Sequence, residues 1–356
     1  MNIKEKYSGQ VGTKYFFDKE NCVCQIFNDE NDLLVEVDTH IPIYDEYSLK
    51  NYTVKLLFND RENCSEDSIY QVKVEGNRVG WIFPIQSIHS VEHSYIDNIH
   101  FLKYAYVAWI YLLEYCNIEI ENFKDFDFFS EFKSYTNILV LDNENCKNVN
   151  FDYEKYIVSL FKYGYSESGK GNLYTPTINI DKAINLKRHS KELDDIQYIN
   201  ELFKKQIPQE TNPVSRFYIY YQLIEILITK VFNHLFAKFV DGLKSNSENL
   251  FDKKEDLNKY ANEKERLKRL CGEYTSIEYP LKDDLYSRCR ALLEYTNSKV
   301  GEKMADCLYL VRCLLVHKMY VLNSEAEKML EDIDDLFLEL VIELILSFKI
   351  PDVETV

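Results

Sequence analysis

"VSRFYIYYQLIEILITKVFNHLFAKF", Val214–Phe239, decides how the chain divides. Phe217, Tyr221, Ile224, Ile228, Val231, Leu235 and Phe239 recur at steps of three and four, which places them on one face of an α-helix. The sequence beyond keeps that period. A charged helix is expected at about 253–270, stopped by Gly272 in the C′ position. A third is expected at about 281–296, with Pro280 just before it, and a fourth at about 300–322. The fifth, about 325–349, opens on Ser324 as N-cap with Glu327 completing a capping box. Five helices with short connections make a bundle.

The sequence ahead of Val214 has a different grammar. "DLLVEVDTHI" (32–41), "YTVKLLF" (52–58), "IYQVKVEGNRVGWIFPI" (69–85) and "TNILVLD" (136–142) alternate or cluster β-branched and aromatic residues, as strands do. "EGNR" inside the third reads as a hairpin turn. Helices are expected at Ile99–Tyr115 and at 191–205, and "KKQIPQETNPVSR" (204–216), with two prolines, reads as a linker. The fold class is therefore α+β. A mixed β-rich domain, 1–205, precedes an all-α bundle, 206–356.

The bulk composition narrows the partners. The 356 residues carry a net charge of −17, which argues against nonspecific coating of nucleic acid. The acidity is uneven, however. Residues 211–356 hold 20 Lys and Arg against 25 Asp and Glu, a balance of −5, and the remaining −12 lies in 1–210. The second half thus leaves room for a local anion site. No signal peptide is read in "MNIKEKYSGQ", and no apolar run is long enough to span a membrane. The nine cysteines lack tight paired spacing, so free thiols in a reducing cytoplasm are expected.

"YLVRCLLVHKMY", Tyr309–Tyr320, is the stretch that carries chemistry. On a helical wheel Met304, Leu308, Val311, Leu315 and Met319 form an apolar face. Asp306, Tyr309, Cys313, His317 and Tyr320 form a second, semi-polar one. Arg312 and His317, five residues apart, are separated by about 140°. They converge only if the helix is irregular or another chain completes the pair. Periodicity alone makes Arg312 a snorkelling core-edge residue and His317 a surface or interface histidine.

"VRCLLVH" resembles the R-x4–6-H signature of the HEPN superfamily, with four intervening residues and the Leu-Val-His ending. Its position on a late helix of a bundle, the amphipathic helix after it, and the opening helix "SRFYIYYQLIEIL" extend the resemblance to about 205–350. A mixed domain ahead of such a bundle is similar to the ApeA-like architecture of anti-phage abortive-infection proteins. The resemblance implies a HEPN homodimer acting as an endoribonuclease without metal or cofactor. The RNA could be tRNA, mRNA or rRNA, and the N-terminal domain would respond to a phage-derived activator. Arg312 would hold the phosphate and His317 move the proton as a 2′-hydroxyl attacks. Asp306 and Tyr320 share a stripe with His317 and could orient it, and Glu225 could pair with Arg312. Cys313 departs from the family, which commonly has a polar residue, often asparagine, after the arginine. A thiol lacks the amide's donor and acceptor, which speaks for the alternative of a non-catalytic HEPN dimerisation or partner-binding module. Lys264, Arg266, Lys268, Arg269, Arg288 and Arg290 could track an RNA backbone or form plain solvated faces.

Other patterns are decoys. "GYSESGKGN" (164–172) lacks the hydroxyl residue of a phosphate-binding loop. His89, His93 and His100 have no cysteine to complete a zinc set, and Cys22 and Cys24 stand isolated.

Overall fold

The computed structural model describes residues 14–18, 23–27, 31–38, 41, 48–59, 65–115, 132–133, 135–169, 180–244 and 250–351. The opening decapeptide, Cys22 and loop residues 170–172 lie outside the described residues, so the readings made on them carry no structural account. The chain is α+β, with sheets in its N-terminal part and helices after them. It forms two compact units: 1–153 with 163–187, and 154–162 with 188–356.

The first unit contains an antiparallel three-stranded sheet of β1 (Lys14–Asp18), β2 (Val23–Phe27) and β3 (Leu33–Asp38). Its larger sheet contains β4 (Tyr52–Phe58), β5 (Tyr70–Val74), β6 (Asn77–Pro84), β7 (Thr136–Asp142) and β8 (Ala183–Leu186) in the order β4-β7-β6-β5-β8. Only the β5–β8 pairing is parallel. The β5–β6 turn has Glu75 at φ 50° and Gly76 at φ 82°, the left-handed pair that a two-residue hairpin requires. Helix α1 (Ile99–Tyr115) buries Phe101, Ala105, Ala108 and Trp109 in one core with Trp81, Phe83, Ile138 and Val140. The β6 and β7 members are spaced by two, so each pair shares a sheet face. A side chain at Gly80 would come within 2.2 Å of the Val140 carbonyl, which fixes glycine where β6 and β7 meet.

The helical unit recruits chain ahead of the boundary expected at 205/206. Short helix α2 (Ile157–Lys162) belongs to it, with Phe161 edge-on to Phe203 at 5.2 Å and Glu154 bonded to Lys204 at 2.6 Å. Residues 197–209 run as α, π and α turns without a break. The expected linker 204–216 thus shrinks to 210–212: Pro213 opens α3, where a missing N–H costs nothing, and Pro208 lies in the last turn of the 197–209 run, just after its π segment.

Helix α3 (Pro213–Lys244) buries Phe217, Tyr221, Ile224, Ile228, Val231 and Leu235 as its period requires. The charged helix is two pieces, α4 (Leu250–Ala261) and α5 (Glu263–Arg269), divided at Asn262, whose side chain accepts from the Glu265 amide. Gly272 does not end it. The chain continues as a π-turn through Tyr274, and Gly272 is not among the glycines with positive φ. Helix α6 (Tyr279–Tyr295) takes Pro280 into its first turn. Helices α7 (Met304–His317) and α8 (Ser324–Ser347) complete the bundle. The N-cap of α8 is Asn323, accepting from the Ala326 amide, rather than Ser324, so the cap falls one residue earlier than expected and the capping box is not formed. Among the described residues no helix is long and apolar enough to cross a membrane.

One charge in the bundle is poorly matched. Asp334 of α8 is fully buried, and neither carboxyl oxygen has a hydrogen-bond partner. Arg216 Nε stands 4.0 Å away but donates to Tyr220, and an Nη bonds Asp335. Burial pushes the Asp334 carboxyl up to about 8, against the pull of Arg216. The folded chain therefore keeps a proton that the unfolded chain releases above 3.8, so this group lowers stability as pH rises from about 3.8 to about 8. Asp334→Asn should leave stability nearly unchanged at pH 4 and raise it by about 2–4 kcal/mol at pH 9. Urea denaturation of both proteins across that range measures the difference.

Candidate functional site

Helix α7 is regular to its end. Lys318 N–H still reaches Leu314 O at 2.7 Å, and only then does the backbone leave helical geometry. An irregular helix is thereby removed as a way of bringing Arg312 and His317 together, and their side chains leave the axis about 140° apart. Met304, Leu308, Val311 and Leu315 are buried as expected. Met319 is not. It lies beyond the helix in a 3-10 turn, Met319–Val321, and is 53% exposed.

The semi-polar stripe changes character along its length. Asp306, in the first turn, is buried. Its Oδ1 lies 2.9 Å from Lys264 Nζ and 3.2 Å from Lys268 Nζ, both on α5. Burial disfavours its charge, yet the two ammoniums together hold its carboxyl below the usual carboxylate range. Tyr309 and Cys313, one and two turns on, are half-buried, and the Tyr309 hydroxyl is raised chiefly by its hydrogen bond with Cys313. His317, at the end, is exposed and has no hydrogen-bond or ion-pair partner among the described residues. Tyr320, beyond the helix, is 83% exposed.

Asp306 therefore does not orient His317. They share a helical face, but eleven residues separate them by about 16 Å along the axis. Helix α5 covers that face at the Asp306 end, through Lys264 and Lys268, and His317 at the other end is exposed. Nor does Tyr320 bond the imidazole, since the helix has ended before it.

Arg312 is held on another side of α7. Its Nη2 is 3.8 Å from Glu225 Oε1 on α3, and its Cζ lies 5.7 Å from the Tyr221 ring centre. The Tyr221 hydroxyl donates to Glu263 Oε1 at 2.8 Å. Burial and then the Glu263 charge push that phenol far above its ordinary range. Burial opposes the Arg312 charge, and Glu263 leads the groups that favour it and raise the guanidinium. Sequence reading missed Tyr221 and Glu263. Tyr221 keeps the period of a core residue, and nothing in the pattern reveals that its hydroxyl crosses to α5.

The six basic residues considered for an RNA backbone are engaged within the chain. Lys264 and Lys268 hold Asp306, Arg269 pairs with Glu273, Arg288 with Asp332 and Arg290 with Glu294. Arg266 lies over the Phe232 ring at 5.5 Å. Histidine 93 is equally structural: it is buried, and its Nδ1 accepts from the Tyr95 amide.

No family model, curated protein or solved structure matches the chain.

Asp306→Asn should cost about 1–3 kcal/mol at neutral pH, because it strips a buried countercharge from two lysines. Its folded carboxyl is depressed, so that stability is present above the unfolded value of 3.8 and lost as pH falls through the folded one. The gap between wild type and variant should close in acid, as chemical denaturation at pH 7 and pH 3 will register.

Proposed function

We propose that the chain is an endoribonuclease whose site is completed when two copies set their α7 helices side by side. One observation carries this reading: His317 is exposed and unpartnered at the end of a straight helix, while Arg312 points elsewhere. One chain cannot bring both groups onto one phosphate. A twofold mate can, because an isologous contact presents each Arg312 and His317 to the other copy's pair. Val316, Met319 and Tyr320, 44%, 53% and 83% exposed, surround His317 with apolar surface of the kind that a partner covers.

In such a cleft His317 takes the proton from an RNA 2′-hydroxyl, or returns one to the leaving 5′-oxygen. Arg312 pairs with the phosphate and offsets the charge that develops there. The O–P bond formed by the 2′-oxygen replaces the bond to the 5′-oxygen. One product ends in a 2′,3′-cyclic phosphate and the other begins with a 5′-hydroxyl. The nucleophile belongs to the substrate and the protons move through a side chain, so no metal is required by this scheme. The HEPN resemblance places such an enzyme in the cytoplasm as an anti-phage effector, with the N-terminal unit sensing the activator.

A second reading, a HEPN module that only dimerises or docks a partner, is favoured by one feature. Arg312 is ion-paired with Glu225, and most of the nearby bases of α5, Lys264, Lys268 and Arg269, are already paired with carboxylates.

Incubation with total RNA in EDTA separates the two. Wild type should cleave, His317→Ala should lose about 10²–10⁴-fold and Arg312→Ala about 10²–10³-fold, while EDTA changes nothing. Cleavage that survives His317→Ala removes the mechanism, and absence of cleavage with activator present leaves the docking module.

A further inference from the structure

We infer that Glu225 is an internal competitor for the phosphate: its carboxylate occupies Arg312 in the resting chain and is displaced when RNA binds. The inference rests on the ribonuclease reading and concerns how that site is kept quiet.

Three observations carry it. First, the guanidinium is confined while its partner is free. Arg312 is 26% exposed and lies over Tyr221, itself buried and tied to Glu263, whereas the Glu225 side chain is 49% exposed. Of the two ends of the ion pair, Glu225 is the one able to swing into solvent. Second, the neighbourhood carries excess negative charge. Glu225 is ion-paired with Arg312, and Glu263, bonded to the Tyr221 hydroxyl whose ring Arg312 lies over, adds its charge to the same neighbourhood, so an approaching phosphodiester meets two carboxylates near one cation. Third, among the described residues Arg312 is the one base ion-paired with Glu225, and none is ion-paired with Glu263. Lys264 and Lys268 of α5 are committed to Asp306, and Arg269 to Glu273. A guanidinium binds a carboxylate or a phosphate through the same face of N–H donors; the 3.8 Å Glu225 contact is an ion pair without a hydrogen bond, so Glu225 competes by charge and position and is readily displaced.

The rival role for Glu225 is to aim Arg312 at the substrate. The two roles predict opposite signs. A competitor, when neutralised, leaves tighter RNA binding. A positioning residue leaves looser binding.

The experiment uses the full chain carrying His317→Ala, so that a fluorescently labelled single-stranded RNA is bound without being cut. Anisotropy at low salt compares it with the same protein carrying Glu225→Gln. Exposed pairs at this distance are weak, so the expected gain is about two- to five-fold in affinity. Adding Arg312→Gln to both proteins should erase the difference, which a general charge effect would not do. In the cleaving enzyme, Glu225→Gln should lower KM and leave kcat nearly unchanged. Equal or weaker binding after Glu225→Gln overturns the competitor role and leaves the ribonuclease reading standing. If no version binds RNA, that reading falls and this one with it. Thermal unfolding of each variant shows whether an altered affinity reflects a damaged fold.

Discussion

The clamp between Asp306 and the two lysines of α5 is the constraint from which the rest of the site follows. It fixes the rotation of α7 at its first turn, where Gly301 is so close that a Cβ there would come within 2.3 Å of the Asp306 Cβ. With rotation set and the helix regular, every later side chain has its direction assigned. Arg312 is delivered to Tyr221 and Glu225 on α3, and His317 to the open end. Any function of the pair has to work with that separation, since 100° per residue leaves no freedom to close it.

Electrostatics in the bundle reinforce the same geometry. An acidic chain with few surplus bases spends them internally: on Asp306, on Glu273, on Asp332 and on Glu294. Most of these pairs are exposed and contribute little to stability. Their effect is to remove a broad positive field that would draw in nucleic acid at long range. Recognition of RNA by such a surface would depend on contacts at the cleft itself, and so on the shape a second copy gives it.

Much of this was legible in the sequence, and the failures share a cause. The period of Val214–Phe239 located the bundle, and the run at 69–85 located two strands and the turn between them. The stripe from Asp306 to His317 was also a true helical face. What periodicity could not supply was coverage along the axis. The same face is sealed by α5 at Asp306 and bare at His317, because a wheel projects out the dimension in which those residues differ. The 154–162 segment escaped for a related reason. Its place in the helical unit comes from Phe161 meeting Phe203, forty-two residues away, and no local pattern records such a contact. Gly272 and Ser324 were plausible terminators and caps in isolation. The chain runs past the first as a π-turn, and Asn323, an equally good cap one residue earlier, takes the place of the second.

Cys313 follows from the same view of the stripe. The residue sits one turn after Tyr309 and one before His317, where coverage by α5 has faded but solvent is not yet dominant. Its thiol is the group that most affects the Tyr309 hydroxyl, one turn back on the same helix. An asparagine there would offer two donors and a carbonyl outward, and would demand partners from whatever faces the helix. A thiol, a weak donor and a weak acceptor, makes little such demand. Any chemistry proposed for this end of α7 would therefore rest on Arg312 and His317, and on the charge that surrounds Arg312.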